Sequence, residues 1–296
     1  MGQKVLVIGY GSIGIKHCKV LKKIPFIDEI KVITKQKKIP YEKISFNKQD
    51  ILKYNPDYII ICNQTFKHFK SLKTLNEILS NKKILIEKPI FDQIYSFKIK
   101  NKIYVNYLLR VHPLIEELKK IIDKKNFNFV NIICFSNVEK WRKNIKFSKS
   151  YSSSKEQGGG VTKELSHELD LMNYIFNVKK IVFSMRKKIS NLKGNADDTS
   201  VLIGKTKNKF ILISLNYSSK LNYRKIIVSG ENYSLKLDLK KNTFKYFNDK
   251  KILSKKIKIN FFDLLKKMHL SILNSKNLEK ICNFKQAIQV VKYFNA

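Results

Sequence analysis

The sequence predicts an α/β fold in which a doubly wound parallel sheet is followed by an α+β domain with a large, mainly antiparallel open sheet. Over the first ~110 residues, apolar strand patterns alternate with helical patterns, which is typical of βαβ units. From about residue 180 to residue 247, strand patterns follow one another without helices, which is typical of antiparallel sheets. We therefore expect two domains, over residues 1–110 and 111–296.

The most informative element is a glycine-rich turn near the amino terminus. An apolar strand at residues 5–8 runs directly into Gly9-Tyr10-Gly11-Ser12-Ile13-Gly14, and an amphipathic helix follows around residues 15–21. In a G-x-G-x-x-G turn, the first glycine permits the tight turn, the second lets the backbone approach a pyrophosphate, and the third permits close packing of helix on strand. Backbone N–H groups at the helix start, near Ser12 and Ile13, attract phosphate. The turn predicts a Rossmann-type dinucleotide-binding domain.

The other elements follow in order. A polar stretch leads from the second strand to Asn55-Pro56-Asp57, and a long polar loop precedes Gly158-Gly159-Gly160. Further strands are predicted over residues 30–34, 58–62, 82–87, 103–106, 129–135, 181–185, 200–204, 210–217, 225–229, 234–239 and 243–247. Helices are predicted over residues 66–79, 114–122, 161–176, 261–273 and 285–293.

Bulk composition excludes several protein classes. The apolar runs are too short to span a membrane, and the chain enters a core strand at once, so we expect no signal peptide and a cytoplasmic location. The four cysteines show no C-x-x-C pairing, which favours buried thiols in a reducing compartment and no metal site.

The net charge of +37 suggests nucleic acid as a partner. All but four of the 60 basic residues are lysines, however, and they are spread along the whole chain. Specific base and phosphate sites favour arginine, and Ile, Asn, Phe and Tyr are enriched together with lysine, as a bias toward A/T-rich codons would produce. We expect only weak, non-specific attraction to nucleic acid.

Several short motifs appear in a fixed order along the chain. They are Asn63 and Thr65 with His68, the tripeptide Glu87-Lys88-Pro89, Asn106-Tyr107 with Arg110 and His112, Trp141-Arg142, Tyr151-Ser152, Gly158-Gly159-Gly160-Val161 and Ser166-His167-Glu168-Leu169-Asp170. From the first strand to about Asp238, this set resembles the Gfo/Idh/MocA oxidoreductases. The version with G-G-G-V and S-H-E-x-D is similar to members associated with surface-polysaccharide sugar biosynthesis.

Two residues are the candidates for proton transfer. Lys88 ends a predicted parallel strand, at the sheet edge where ligands bind, and apolar surroundings adapt a lysine amine to exchange a proton with a substrate oxygen. His167 lies on the helix after the glycine run, and histidine titrates near neutral pH. The resemblance implies that Lys88 and His167 are catalytic. The family commonly has Asp four residues before this histidine, where this chain has Lys163, so Glu164, Asp170 and Glu168 all stay candidates for the acid.

The choice between NADP and NAD is inferred from the charge of the residues that follow the second strand. Dinucleotide folds that select NAD place an acidic residue after the second strand, whereas this chain has Thr34 and Lys35 followed by Gln36-Lys37-Lys38. We therefore predict NADP, with NAD as the alternative. By resemblance, Asn63, Thr65, His68, Glu87 and Lys88 complete the cofactor site, although Thr65 fits a simple helix cap equally well.

The substrate is expected to be a small sugar or nucleotide sugar. Arg110, His112, Trp141, Arg142 and Tyr151 are its candidate contacts, since arginine suits a carboxylate or phosphate, although Trp141 and Tyr151 fit simple packing roles too. The resemblance implies a homo-oligomer that pairs through the open sheet. The main hypothesis is a nicotinamide-dependent sugar oxidoreductase, and the alternative is a non-catalytic sensor of dinucleotide or sugar on the same fold.

Overall fold

A computed structural model describes residues 2–141, 146–207 and 209–295. The chain forms two compact units, one made of Met1–Val111 and Asn260–Val291, the other of His112–Ile259 and Lys292–Ala296. Within the described residues, no helix combines the length and apolar character that crossing a membrane requires.

The first unit contains a seven-stranded sheet in the order β15-β6-β5-β4-β1-β2-β3, and all of its pairings except that of β15 are parallel. Its amino-terminal elements are β1 (Gln3–Ile8), α1 (Ser12–Leu21), β2 (Ile27–Ile33), β3 (Glu42–Lys43), α2 (Lys48–Tyr54), β4 (Tyr58–Ile61), α3 (His68–Ile78), β5 (Lys83–Ile86) and β6 (Lys102–Val105). Strands β1 and β4 are almost wholly apolar and buried, as strands covered on both faces must be.

The second unit is built on an eight-stranded sheet in the order β14-β13-β12-β11-β7-β10-β9-β8. All of its pairings are antiparallel except that between β7 and β10. Its elements are α4 (Pro113–Ile122), β7 (Phe127–Asn137), α5 (Val161–Glu164), α6 (Ser166–Phe176), β8 (Lys180–Lys187), β9 (Thr199–Thr206), β10 (Lys209–Asn216), β11 (Ser218–Gly230), β12 (Ser234–Asp238), β13 (Thr243–Asn248) and β14 (Lys251–Lys256). The predicted fold class is confirmed.

The carboxyl-terminal segment rejoins the first unit. It comprises α7 (Phe261–Leu273), β15 (Cys282–Asn283) and α8 (Phe284–Lys292). The sequence predicts residues 260–291 to be part of the second domain, whereas in the structure they belong to the first unit. The reason is burial: Met268, Ile272 and Leu273 of α7 lie in the same core cluster as Leu21 and Ile24.

Several further elements differ from the sequence prediction, which did not include strands β3, β14 and β15. The polar stretch after β2 contains α2, which begins where the Asn47 side chain accepts a hydrogen bond from the Asp50 N–H group. The single helix predicted over residues 161–176 is two helices, α5 and α6, separated at Leu165. A continuous helix would place Glu164 and Glu168 on one face, whereas in the structure these two residues belong to different helices.

Candidate active site

Most predicted cofactor residues lie at one edge of the parallel sheet. Ile8 of β1 pairs with Ile33 of β2 and with Ile61 of β4, and Ile86 of β5 pairs with Ile61 and with Val105 of β6. The residues that follow these strand ends therefore share one edge, and they include Gly9, Thr34, Asn63, Glu87 and Asn106. In open α/β sheets, ligands bind at this edge.

The three glycines of the turn differ in what surrounds their Cβ positions. Gly9 has a φ of 102°, and a Cβ there would lie 2.7 Å from the Asn63 nitrogen. A Cβ on Gly14 would lie 2.3 Å from the Gly9 carbonyl oxygen, so this glycine permits the helix to pack on the turn. Gly11 has an ordinary φ of −77° and nothing within 4 Å of its Cβ position. The protein itself therefore gives no reason for a glycine at position 11.

Space and charge at this turn suit a diphosphate. No side chain caps the start of α1, where Gly11 is the capping residue and Ser12 and Ile13 begin the helix. The partial positive charge of a helix N-terminus stabilises an anion there. The open Cβ position of Gly11 gives a ligand close access to this backbone.

The loop after β2 is tied to the glycine turn. Thr34 Oγ1 accepts a hydrogen bond from the Gln36 N–H group at 3.2 Å, and Gln36 Nε2 donates to the Tyr10 carbonyl oxygen at 2.7 Å. Lys35 is exposed. The predicted contacts Thr34 and Lys35 thus lie on a segment held to the turn by Gln36, a residue to which the sequence analysis gave no role.

His68 connects the loops that follow β4 and β5. Its Nδ1 atom lies 3.0 Å from the Pro89 carbonyl oxygen and 3.2 Å from that of Ile90, and its Nε2 atom lies 3.1 Å from the Asn63 carbonyl oxygen. His68 is buried, whereas Asn63 is half-buried, donates from Nδ2 to Ser71 Oγ, and has a buried Oδ1 atom without a partner among the described residues. Thr65 is buried at the start of a short 3₁₀ turn. From its buried position, His68 therefore holds the loops after β4 and β5 together.

Glu87 is held by two donors at the end of β5. Its Oε1 atom accepts from His17 Nε2 at 2.9 Å and from Asn106 Nδ2 at 2.5 Å, and its side chain is 13% exposed. Burial raises the pKa of Glu87, but the hydrogen bonds from His17 and Asn106 and the charge of Lys88 bring this pKa below its usual value. Lys88, the next residue, is half-buried. A fixed negative charge therefore precedes the candidate catalytic lysine.

The second unit contains the predicted histidine. Within residues 166–170 of α6, only His167 is partly exposed; the other four residues are buried. Glu168 forms an ion pair with Arg224 of β11, at 2.7 Å between Oε1 and Nε. The buried Glu164 accepts a hydrogen bond from Ser152 Oγ at 2.5 Å, and Asp170 is fully buried. Of the three acidic candidates, Glu168 already has a cationic partner.

The predicted substrate contacts lie in varied surroundings. Arg110 is fully buried and donates to Gln286 Oε1 at 2.7 Å. His112 is buried and caps α4, because its Nδ1 atom accepts from the Leu114 N–H group. Trp141 is 39% exposed and packs edge-on against Tyr217, and Tyr151 is half-buried. Arg142 lies outside the described residues.

A buried histidine gives the first unit a testable pH response. Burial lowers the pKa of His269 well below its usual value. Burial also lowers the pKa of His68, but the carbonyl oxygens beside its two ring nitrogens act in the opposite direction. The His269 ring therefore stays neutral in the folded chain, whereas in the unfolded chain it takes up a proton below about pH 6.5. The free energy of unfolding is expected to fall from about pH 7.5 to about pH 5.5, by up to roughly 1.4 kcal/mol per pH unit for His269.

Urea denaturation at the two pH values measures this slope. His269→Gln removes this group, so the slope of the variant should be smaller than that of the wild type by up to about 1.4 kcal/mol per pH unit. A free energy of unfolding that changes with pH as much in the variant as in the wild type would contradict the neutral burial of His269. The window lies above the range in which Glu87 takes up a proton, so this carboxylate does not contribute.

Comparison with known proteins agrees with this architecture. A family model described as the oxidoreductase family, C-terminal alpha/beta domain, matches residues 119–269. No curated protein sequence matches the chain.

Several solved structures share the fold at low sequence identity. Levoglucosan dehydrogenase in complex with NADH and levoglucosan aligns with a TM-score of 0.84 at 13% identity, covering 100% of this chain and 95% of that one. UDP-N-acetylglucosamine 3-dehydrogenase from Acidithiobacillus ferrooxidans aligns with a TM-score of 0.73 at 13% identity over 99% and 95% of the two chains. GenD2 from gentamicin A biosynthesis, in complex with NAD, aligns with a TM-score of 0.78 at 12% identity over 100% and 93%.

The family match covers half of the chain, over most of the second unit. The strand order of the first unit and its glycine turn agree with the dinucleotide-binding domain that the resemblance implied. The chain therefore belongs to the Gfo/Idh/MocA family of oxidoreductases.

Proposed function

We propose that this protein transfers a hydride between a nicotinamide dinucleotide and a hydroxyl or carbonyl carbon of a sugar or nucleotide sugar. The observation that carries the proposal is Gly11, which neither its backbone angles nor its neighbours require to be glycine. A position kept free of a side chain at the uncapped start of a helix is what a bound diphosphate needs. The sugar class is supported by the structural neighbours that act on levoglucosan and on a UDP-sugar.

The first unit would hold the dinucleotide along its sheet edge. The helix start at Ser12 and Ile13 would bind the diphosphate, the segment with Thr34 and Lys35 would bind the adenosine ribose, and Asn63 with Lys88 would contact the nicotinamide end. When bound, the nicotinamide supplies the site that accepts or gives the hydride. The protein contributes position and electrostatics, through backbone N–H groups and side chains whose neighbours restrict their movement.

Proton transfer is assigned to Lys88 and His167. Oxidation of an alcohol releases a proton from its oxygen, and reduction of a carbonyl requires one. A half-buried lysine beside an ionised carboxylate and a partly exposed histidine both suit that exchange. The acids proposed to assist His167 are Glu164 and Asp170, two buried carboxylates that lie three residues before and three residues after it in the sequence.

NADP is the proposed cofactor, since the segment after β2 carries a hydroxyl and lysines where NAD-selective folds carry an acid. Calorimetric titration with NADPH and NADH at moderate salt tests this. We expect NADPH to bind at least ~10-fold more tightly, and Lys35→Glu to abolish the preference by repelling the 2′-phosphate. Lys53→Glu, the same charge change at an exposed position on α2, is the control and should keep the preference.

The possible outcomes separate the cofactor from the enzyme class. Binding of NADH alone would replace NADP by NAD, the cofactor in several neighbours, and leave the oxidoreductase proposal intact. Binding of neither dinucleotide would overturn the proposal.

A second candidate function is a non-catalytic sensor of dinucleotide or sugar. It is favoured by Lys163, which occupies the place of the acid commonly found in the family, and by the hydrogen bond that holds Glu164 to Ser152. The sensor predicts cofactor binding without turnover of any sugar, whereas the enzyme predicts both.

The setting of this activity is proposed as sugar biosynthesis for surface polysaccharides, in the cytoplasm. The four cysteines are free and buried, which supports a reducing compartment.

A second copy of the chain is the proposed partner, because Phe129, Phe210 and Ile227 are exposed on one face of the eight-stranded sheet.

A further inference from the structure

A chain of buried hydrogen bonds ends on Glu87, beside the candidate catalytic lysine. Tyr58 Oη lies 3.0 Å from His269 Nδ1, His269 Nε2 lies 2.9 Å from His17 Nδ1, and His17 Nε2 lies 2.9 Å from Glu87 Oε1. Tyr58, His269 and His17 are each fully buried. These side chains come from β4, α7 and α1 of the first unit, so three elements converge on the end of β5.

Donor and acceptor chemistry fixes the direction of donation along this series of hydrogen bonds. The Tyr58 hydroxyl hydrogen has one acceptor within reach in the described structure, His269 Nδ1. If His269 Nδ1 carried a hydrogen instead, the buried hydroxyl would lose its acceptor, at a cost of about 1–3 kcal/mol. Tyr58 therefore donates to His269 Nδ1, which leaves the ring hydrogen of His269 on Nε2.

The same reasoning determines which ring nitrogen of His17 carries its hydrogen. Because His269 Nε2 donates, His17 Nδ1 must accept, and the one ring hydrogen of His17 lies on Nε2, aimed at Glu87 Oε1. The distant Tyr58 hydroxyl thus selects the tautomer of His17. Burial raises the pKa of Tyr58 and lowers that of His269, so both stay neutral, as this arrangement requires.

The Glu87 carboxylate, at the end of this series of hydrogen bonds, is held at one of its two oxygens. Glu87 Oε1 accepts from His17 and from Asn106, while the Glu87 backbone N–H group donates to the Ile61 carbonyl oxygen at 2.8 Å. The other titratable groups that face this carboxylate are Lys88, the Cys62 thiol and His68. Side chain and backbone of the residue before Lys88 are therefore both anchored.

We propose that His17 is a positioning residue for the proposed reaction: with its tautomer set by Tyr58 and His269, it orients the Glu87 carboxylate and thereby holds Lys88 in its productive position. This role rests on the proposed oxidoreductase function. Misplacement of a reacting group by about 1 Å can cost roughly 100-fold in rate. His17 touches neither cofactor nor substrate in this role; it acts through Glu87.

The first part of the test uses the protein without ligands. Long-range ¹H–¹⁵N NMR distinguishes the two nitrogens of each imidazole, and the chain has five histidines. We expect His17 and His269 each to be a single Nε2–H tautomer. Tyr58→Phe keeps the ring but removes the hydroxyl donor, so His269 should no longer be held in that tautomer. A His17 ring protonated at Nδ1, or averaged between tautomers in the wild type, would overturn the direction.

The second part compares variants in turnover, with a sugar that the wild type converts. His17→Leu removes the donor to Glu87 and should lower kcat by about 100-fold while changing the KM for the dinucleotide by less than about threefold. His17→Gln keeps an N–H donor of similar reach and should recover most of the lost kcat. Lys19→Leu, on the exposed face of α1, is the control for the helix and should behave as the wild type.

The outcomes separate this inference from the proposed function. Wild-type kcat in His17→Leu, or a loss that His17→Gln does not restore, would overturn the positioning role while the oxidoreductase stands. A wild type that shows the expected NMR tautomers but binds neither dinucleotide would overturn the oxidoreductase and the positioning role with it, and would leave the direction of the chain established.

Discussion

Replacement of Lys88 by methionine is expected to lower kcat by about 10²–10⁴-fold, the range that a positioned proton-transfer group contributes. Methionine has a similar length and no amine, so the packing at the end of β5 should change little. The Kd of the dinucleotide, measured by calorimetry, should change far less than kcat, because most of the lost interaction serves the transition state.

Lys100→Met provides the matched control, since Lys100 is an exposed lysine of the same unit and its backbone N–H group, not its amine, bonds to Asn76. This variant should retain wild-type kcat. A Lys88→Met protein that turns over sugar as fast as the control would remove Lys88 from the reaction. Binding of dinucleotide by the wild type without turnover of any sugar would instead favour the sensor.

Substitution of Gly11 by valine is expected to weaken dinucleotide binding by at least ~100-fold and to leave the stability of the protein nearly unchanged. The backbone angles at Gly11 are ordinary for any residue, and no atom lies within 4 Å of its Cβ position. The new side chain therefore fills only the space through which a diphosphate would approach the backbone. Calorimetry with NADPH and NADH measures the binding, and thermal unfolding measures the stability.

Gly14→Ala is the contrasting variant. Its Cβ would lie 2.3 Å from the Gly9 carbonyl oxygen, so the helix must shift and stability should fall by about 1–3 kcal/mol. If Gly11→Val bound the dinucleotide as tightly as the wild type, the open space at Gly11 would not belong to the cofactor. If it unfolded as readily as Gly14→Ala, Gly11 would have a packing role that its surroundings do not show.

Local patterns predicted most of the strands, the glycine turn and the sheet edge because each depends on neighbours in sequence, but strands β3, β14 and β15 were missed. Residues 5–8 of β1 are apolar and the three glycines have a fixed spacing, so the turn can be recognised without knowledge of the fold. α2 was missed, although Asn47 and Asp50 form a recognisable start of a helix with Ile51 and Tyr54 on its buried side. The break at Leu165 left no such local signal, because Leu165, Leu169, Met172 and Ile175 continue one helical pattern across it.

The roles of the polar residues were harder to infer from sequence. Lys88 and His167 were identified from their motifs, and their roles stay predictions. The roles of Arg110 and His112 as substrate contacts stay predictions; in the structure Arg110 donates to Gln286 and His112 caps α4. His17 was not singled out, although it follows the last glycine of the turn by three residues, one helical turn further on.

The sequence by itself determined the fold class, the family resemblance and the positions of the glycine turn and of Glu87-Lys88-Pro89, because periodicity and spacing are local properties of a chain. Only the tertiary structure decided which polar groups meet. Tyr58, His269, His17 and Glu87 form one directed chain of hydrogen bonds even though 252 residues separate the two histidines. Such partners are selected by packing of the folded chain, where a buried donor or acceptor must find its complement wherever the fold brings one within about 3 Å.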